Sequence, residues 1–224
     1  MQIRALTWNV HGFRAGMDEI TRLIASERPD LILLQEARSR RRVRRLAKRL
    51  GMQWVTSHSW RNLIRNAVLF SNDWRLASVE VELFPKFGRM RRRGTTTAHL
   101  RRLGVRIVAV STHFGLGPRE RESHARHFTD RLVGMSDAIV IGVDLNEGPQ
   151  ASAARWVSDR LFDAFGSAGE GDGLTFPAKG PTARIDYLFV RNASVIRAWV
   201  SAAPNTTFAS DHRAVAADLE VSEG

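Results

Sequence analysis

The 224-residue sequence contains no cysteine, which excludes disulfides, a thiol nucleophile and a cysteine-bound metal centre. No apolar run approaches the roughly 20 residues that a membrane-crossing helix needs. Met1-Gln2-Ile3-Arg4 leads straight into a strand-like segment, without the apolar stretch of a secretory signal. The expected location is the cytoplasm. No linker, repeat or composition break divides the chain, so one domain over residues 1–224 is expected. Lysine is scarce too. Lys48, Lys86 and Lys179 are the only lysines, so nearly all of a net charge of +11 is arginine. Guanidinium forks match phosphate oxygens two at a time. Such a charge points to a polyanionic partner, nucleic acid ahead of phospholipid headgroups. A solvated basic surface, or a genome that favours arginine codons, accounts for the same excess.

Strands and helices alternate irregularly. Residues 3–10 read as a buried strand. Met17, Ile20, Leu23 and Ile24 recur at helical spacing until Pro29 stops them. Leu31-Ile32-Leu33-Leu34 is a short apolar strand closed by Gln35-Glu36. Val43, Leu46, Ala47 and Leu50 form a second helical stripe with Gly51 as its C-cap. Residues 67–70, 77–83, 95–100 and 105–110 are strand-like, the last two forming a hairpin about Leu103-Gly104. Pro118 opens a helix to about Leu132, and 138–141 is again a buried strand. A helix near 150–160 precedes a Gly-, Ser-, Pro- and Thr-rich loop over 166–182. Residues 184–190, 194–201 and 214–219 close the chain as strands. Hairpins mixed with helices indicate an α/β sandwich rather than a parallel βαβ array.

One pattern recurs. Apolar strands end on polar groups at Asn9, Glu36, His113, Asp144 with Asn146, and Asp186, while Asp211-His212 precedes the last strand. Taken singly, each is explained by a structural hydrogen bond near a turn. As an ordered set, they suggest side chains gathered at one rim of a sheet, where the core fixes their geometry. Four carboxylates without a thiolate suit a hard cation, Mg2+ or Mn2+.

In these segments the chain resembles the endonuclease/exonuclease/phosphatase superfamily, which includes deoxyribonuclease I, repair nucleases, inositol-polyphosphate phosphatases, sphingomyelinases and deadenylases. The resemblance rests on Thr7-Trp8-Asn9-Val10, Leu34-Gln35-Glu36, Ser111-Thr112-His113, Asp144-Leu145-Asn146, Arg184-Ile185-Asp186-Tyr187 and Ser210-Asp211-His212. They fall in the family's order across nearly the whole chain. The resemblance implies a deoxyribonuclease I-like four-layered α/β sandwich, with two facing mixed sheets flanked by helices. It implies that Glu36, with Asn9 and Asp211, holds the metal. Asp144 would orient and deprotonate the attacking water, and Asn146 would hold a phosphate oxygen. His212, held by Asp186, would donate to the developing charge. His113 would meet the phosphate or protonate the leaving oxygen, and His11, Asn66 and Arg184 would contact substrate. A strand-end turn is the competing reading of Asn66.

Two positions depart from the family pattern. His11 stands where many of its nucleases carry Asn or Asp, and Gly142 lies one residue earlier than the usual glycine before Asp144. A histidine at position 113 resembles the deoxyribonuclease I, sphingomyelinase and phosphatase branches more than exonuclease III. The function implied is water-driven, metal-dependent hydrolysis of DNA or RNA phosphodiesters, leaving a 5′-phosphate and a 3′-hydroxyl. A small-molecule phosphatase or phospholipid-headgroup phosphodiesterase with the same site is the first alternative, and a catalytically inactive nucleic-acid-binding module the second. The arginine runs 38–49 and 89–93 are candidate backbone contacts, with a solvated helix face as the rival. Trp60 is a candidate base-stacking residue. Trp8, Trp54, Trp74, Trp156 and Trp199 are expected in the core, and His124 and His127 at the surface or in a groove rather than as ligands. Phe176 is placed near the site by the resemblance, or in loop packing without it.

Overall fold

The computed structural model describes residues 1–57, 64–132, 134–201 and 209–222. Trp60 lies outside them. In chain order the elements are β1 (Gln2–Asn9), α1 (Met17–Glu27), β2 (Leu31–Gln35), α2 (Arg40–Leu50), β3 (Gln53–Thr56), β4 (Ala67–Phe70), β5 (Arg75–Leu83), β6 (Gly94–Arg102) and β7 (Val105–His113). There follow α3 (Pro118–Leu132), β8 (Ala138–Asp144), α4 (Ser152–Ser158), β9 (Phe162–Asp163), α5 (Ala164–Ala168), β10 (Gly169–Glu170), β11 (Asp186–Arg191), β12 (Ser194–Val200) and β13 (Val215–Glu220). The strands form two mixed sheets, ordered β10-β12-β13-β1-β2-β4-β3 and β5-β6-β7-β8-β11-β9. Among the described residues, no helix is long and apolar enough to cross a membrane.

The period-2 alternation of strand side chains sorts the core into three slabs. Ile3, Ala5, Leu31 and Leu33 face Ala109, Val140, Leu188 and Val190 between the sheets. The opposite faces of the same strands, Leu6, Trp8, Ile32 and Leu34, pack on Ile20, Leu23 and Ile24 of α1 and Val43 and Leu46 of α2. Val108, Val110, Ile139 and Ile141 likewise pack on Phe128 and Leu132 of α3 and Val157 of α4. The result is helix, sheet, sheet, helix: the four-layered sandwich. Strands buried on both faces explain the continuous apolar runs of β2 and β8.

Local signals stop the helices where the sequence places them. Ser39 caps α2 by accepting from the Arg42 N–H, and Gly51 ends it at φ 66°. Arg28 takes the left-handed conformation just before Pro29. Three elements differ from expectation. The edge strand β3 is four residues long and half-buried, too short to show an alternating pattern. Residues expected to begin a loop at 166 instead continue α5 and add β10 to the edge of β12. His124 is buried rather than at the surface, on the α3 face that carries Ala125 and Phe128.

The register brings the polar strand ends to one rim. Parallel β1 and β2 pair Asn9 with Gln35, and parallel β7 and β8 pair His113 with Asp144. Antiparallel β11 begins there, with Asp186 opposite Asp144. Beneath that rim, buried hydrogen bonds tie sheet to sheet. Gln35 Nε2 lies 3.1 Å from Thr7 Oγ1, 3.3 Å from Ser111 Oγ and 3.1 Å from the Gly142 carbonyl, and Ser111 Oγ donates to the Leu34 carbonyl at 2.7 Å.

Gly142 is required at this seam. A Cβ on it would stand 2.4 Å from Thr7 Oγ1 and 2.5 Å from Leu33 Cβ. Gly142→Ala should cost about 1–3 kcal/mol, read as a lower urea midpoint at unchanged slope. A variant as stable as the parent would show that the sheets can separate there freely.

His124 yields a pH prediction. Its Nδ1 lies 3.3 Å from the Gly115 N–H and its Nε2 3.3 Å from the Pro85 carbonyl, an arrangement that a neutral ring with its proton on Nε2 satisfies at both ends. Burial, with Arg93 and His127 adding to it against the pull of the Pro85 carbonyl, holds its pKa down at about 4. The unfolded chain therefore binds the extra proton first, and stability is lost as pH falls from the ordinary histidine value toward that lowered one. His124→Gln should lose less melting temperature between pH 6.5 and about 4 than the parent does. Parallel losses in the two proteins would remove His124 from acid sensitivity.

Candidate active site

Asn9 and Asp144 join the two sheets at the rim. Asn9 Nδ2 donates to Asp144 Oδ2 at 2.8 Å, while Asn9 Oδ1 accepts from the His11 backbone N–H at 3.0 Å. One end of the amide needs a donor and the other an acceptor, so its orientation is fixed. Asp144 is almost fully buried, and its other oxygen accepts from the Asn146 N–H at 3.0 Å. Four polar groups therefore converge on one carboxylate: Asn9, the Asn146 N–H, His113 Nε2 at 3.2 Å and His212 Nε2 at 3.9 Å.

The two histidines are driven in opposite directions. At His113, burial is the largest influence and Arg93 adds to it. Together they outweigh Asp144 and hold the pKa at about 3, so the ring is neutral. Asn146 Nδ2 donates to the Phe114 carbonyl at 3.1 Å and lies 3.0 Å from His113 Nε2, so that nitrogen accepts. At His212, burial alone would lower the pKa. Asp186, Asp144 and Asp211 together overcome it and raise the value to about 9. His212 Nδ1 lies 2.9 and 3.1 Å from the two Asp186 oxygens, and the Phe176 ring packs on the imidazole at 4.9 Å between centroids. Thr175 Oγ1 accepts from the Ile185 and Asp186 N–H groups, and Trp8 Nε1 donates to the His212 carbonyl, so both partners are held from behind.

Three of these side chains sit on backbone that non-glycine residues rarely adopt. His11, Glu36 and Asn146 have φ of 43°, 51° and 57°. Asn tolerates this region readily and Glu does not. The Glu36 turn is held by its carbonyl, which accepts from the Gly12 and Arg38 N–H groups.

Among the described residues one cluster of histidine and carboxylate groups is close enough to hold a metal. Asp144, Asp186 and His212 place one ligand atom each within 4.8 Å of one another. In that cluster His212 Nδ1 faces Asp186, and Nε2 lies 3.9 Å from Asp144. The ligands expected from the sequence, the Asn9 amide oxygen, Glu36 and Asp211, are all hard oxygen donors, the kind that Mg2+ or Mn2+ takes. Glu36 Oε2 accepts from Arg38 Nη2 at 3.1 Å, and Asp211 pairs with His11 Nδ1 at 3.1 Å. The unusual His11 thus touches two of the three oxygen donors, through its backbone at Asn9 and its ring at Asp211.

The remaining expectations divide. Asn66 is buried, and its Nδ2 donates to the Gly94 and Ser111 carbonyls, so it is a structural tie that also lines the cavity beside Glu36 and His113. Arg184 is committed elsewhere. Its guanidinium pairs with Asp163 at 2.7 and 3.0 Å and lies over the Tyr187 ring, and both charged side chains are 12% exposed. Trp8 and Trp74 are core residues as expected. Trp156 and Trp199 are only partly buried and lie beneath arginines, Arg126 and Arg160 over one, Arg4 and Arg197 over the other. Sequence reasoning did not single out Thr7, Gln35 and Ser111 as the tie under the site, although all three lie in the quoted motifs. Arg65 and the separate character of Arg93 were also missed, and nothing in the sequence sets them apart from thirty-odd other cations.

Two facing mixed sheets, with polar groups from β1, β2, β7, β8 and β11 at one rim, define the deoxyribonuclease I-like fold. The chain belongs to the Endonuclease/Exonuclease/phosphatase family, whose sequence profile matches residues 6–212. Similar solved structures include an endonuclease/exonuclease/phosphatase from Bacteroides vulgatus, 18% identical over 99% of this chain and 100% of that one, with a TM-score of 0.87. A mannosyl-6-phosphatase of Bacteroides thetaiotaomicron is 14% identical over 97% and 99% of the two chains, with a TM-score of 0.83. Truncated TDP2 of Caenorhabditis elegans is 17% identical over 99% and 98%, with a TM-score of 0.79. No curated protein sequence matches the chain significantly.

The Arg184 geometry predicts a structural role. A double-mutant cycle of Arg184→Ala and Asp163→Ala should give a coupling of about 1–2 kcal/mol in unfolding free energy. Additive effects on stability, together with a raised KM for Arg184→Ala, would return the residue to substrate contact.

Proposed function

We propose that the chain is a divalent-metal-dependent phosphoesterase that hydrolyses phosphodiester bonds of DNA or RNA by water attack. The observation that carries the chemistry is the pairing of a neutral His113 and a protonated His212 across one buried carboxylate, Asp144. Opposed charge states among neighbouring groups mark division of acid and base work. A divalent ion held by Glu36, with Asn9 and Asp211, would neutralise and polarise the phosphoryl oxygens.

The chain's own residues account for the rest. Asp144, oriented by Asn9 and the Asn146 N–H, takes the proton of the attacking water. Its partners hold it in place, so little geometric freedom is lost on reaction. His212 donates to the charge that develops on the phosphoryl oxygens, and Asp186 keeps it protonated and aimed. His113, neutral and anchored at Nε2 by Asn146, meets the phosphate. Asn146 anchors that ring, its Nδ2 donating to His113 Nε2 and to the Phe114 carbonyl.

The nucleic-acid part of the reading is supported by charge. Arg40, Arg41, Arg44, Arg45 and Lys48 line an open groove along α2 together with Trp54. This helix starts four residues after Glu36, and the Arg42 guanidinium reaches back to the Gly12 and Phe13 carbonyls. A phosphodiester strand entering the rim would meet that face. A small phosphate ester is the second reading, favoured by the fold shared with a mannosyl-6-phosphatase.

The test is turnover of bis(p-nitrophenyl) phosphate, p-nitrophenyl phosphate, plasmid, single-stranded DNA and RNA with Mg2+, Mn2+ or EDTA. Diester cleavage that requires metal is the expected result. Cleavage that persists in EDTA would overturn the metal assignment, and preference for the monoester would favour the second reading. Nucleic-acid binding without turnover would identify an inactive binding module. Asp144→Asn should lower kcat by about 10²–10⁴-fold while keeping a cooperative melt. Full activity in that variant would move the base elsewhere.

A further inference from the structure

A cavity of about 80 Å³ opens beside Glu36 and His113, lined by Arg65, Arg91, Arg92 and Arg93. It holds several waters by volume, and so has room for a phosphoryl group. Its walls come from both sheets. Residues 64–66 lead into β4, and residues 91–94 lead into β6. Asn66 closes the seam between them by donating to the Gly94 carbonyl at 3.0 Å. The backbone is pinned on each side, since the Arg65 carbonyl accepts from the Ala37 N–H and the Arg93 carbonyl from the Phe84 N–H. Gly94 allows the close approach, because a Cβ there would meet Ile64 Cδ1 at 2.5 Å.

The charge in this cavity is not balanced. Among the described residues Glu36 is the only acid on its wall, and one Glu36 oxygen already accepts from Arg38. Arg65 and Arg93 are half-buried, and neither guanidinium has an ion-pair or hydrogen-bond partner among the described residues. Arg65 Nη1 is buried with no partner at all. Both guanidinium pKa values are lowered, chiefly by burial, which outweighs Asp144, Glu36 and Glu120 at Arg93 and Glu36 at Arg65, with Arg91 pushing the same way as burial. Removing cations from water without a counter-charge is costly. A protein keeps such an arrangement where a ligand completes it, and arginine forks select phosphate. A divalent ion on Glu36 would leave the cavity more positive still.

We propose that the cavity between Arg65 and Arg93 is a subsite for a second phosphate of the substrate, adjacent to the one hydrolysed at the rim. The inference rests on the phosphoesterase reading of that rim. It adds that substrates bearing two neighbouring phosphates are preferred over those bearing one. The second phosphate comes either from the next linkage of a nucleic-acid strand or from a small bisphosphate, and both present the same dianionic or monoanionic oxygens to the forks.

Two substrate arms separate these sources. In the first, kcat/KM is compared for the dinucleotides TpT and pTpT and the trinucleotide TpTpT. In the second, it is compared for p-nitrophenyl thymidine 5′-phosphate with and without a 3′-phosphate. An advantage of about tenfold or more from the added phosphate is expected in at least one arm, and the arm identifies the source. Arg65→Gln and Arg93→Gln should erase the advantage, reducing turnover of two-phosphate substrates far more than that of bis(p-nitrophenyl) phosphate. Exposed Arg91→Gln should weaken it in part, and serves if the other variants fail to fold. Calorimetry of inorganic phosphate with the metal-free protein provides a readout that needs no turnover. Arg93→Gln should weaken that binding about tenfold. No advantage in either arm, in a protein that does turn over bis(p-nitrophenyl) phosphate, overturns the subsite alone, as does phosphate binding that both variants leave unchanged. No turnover of any ester by the parent would instead overturn the phosphoesterase reading.

Discussion

The Gln35 side chain lies between the two sheets, where its amide reaches Thr7 on one side and Ser111 and the Gly142 carbonyl on the other. Everything at the rim depends on that seam. The residues above it come from opposite sheets, Asn9 and Glu36 from one and His113, Asp144 and Asp186 from the other. Two apolar faces in contact can slide, because the hydrophobic effect has no direction. A buried, satisfied polar network cannot slide without leaving unpaired groups, each costing about 1–3 kcal/mol. The absence of a side chain at Gly142 lets this network close, and the Asn9 to Asp144 hydrogen bond continues it into the site.

Above the seam, the electrostatics follow from burial and from which neighbours face each group. His113 and His212 are both buried and both approach Asp144. His212 has a second carboxylate against its ring, and His113 is opposed by the half-buried Arg93. The same side chain is therefore charged in one place and neutral a few ångströms away. Arg93 influences His113 from the wall of the arginine-lined cavity, so phosphate chemistry at the rim and the charge stored beside it belong to one electrostatic system.

Much of this was legible before any coordinates. Strand ends with polar residues, the Pro29 and Gly51 helix stops and the Leu103-Gly104 hairpin all rest on local geometry that a short stretch of chain fixes by itself. The ordered motifs carried the family and hence the layer order. What was not legible depends on distant partners. His124 reads as a surface or groove residue on a polar helix, and is buried because Phe84 and Phe114, just past the ends of β5 and β7, meet it. Arg184 sits in a motif beside Asp186, yet its partner Asp163 lies twenty-one residues earlier. Strands β3 and β10 are too short for periodicity to register.

The sequence by itself determined which elements form and which polar residues stand at their ends, because capping, alternation and turn chemistry act over a few residues. It also determined the sign of the surface charge, since thirty-four basic residues outnumber twenty-three acidic ones in any fold. Only the tertiary structure decided what those residues became. It placed a proton on His212 and kept one off His113, assigned Arg184 to Asp163, and left Arg65 and Arg93 facing a cavity in which Glu36 is outnumbered by arginines. Charge state and pairing depend on burial and on neighbours within a few ångströms, and those neighbours come from remote parts of the chain.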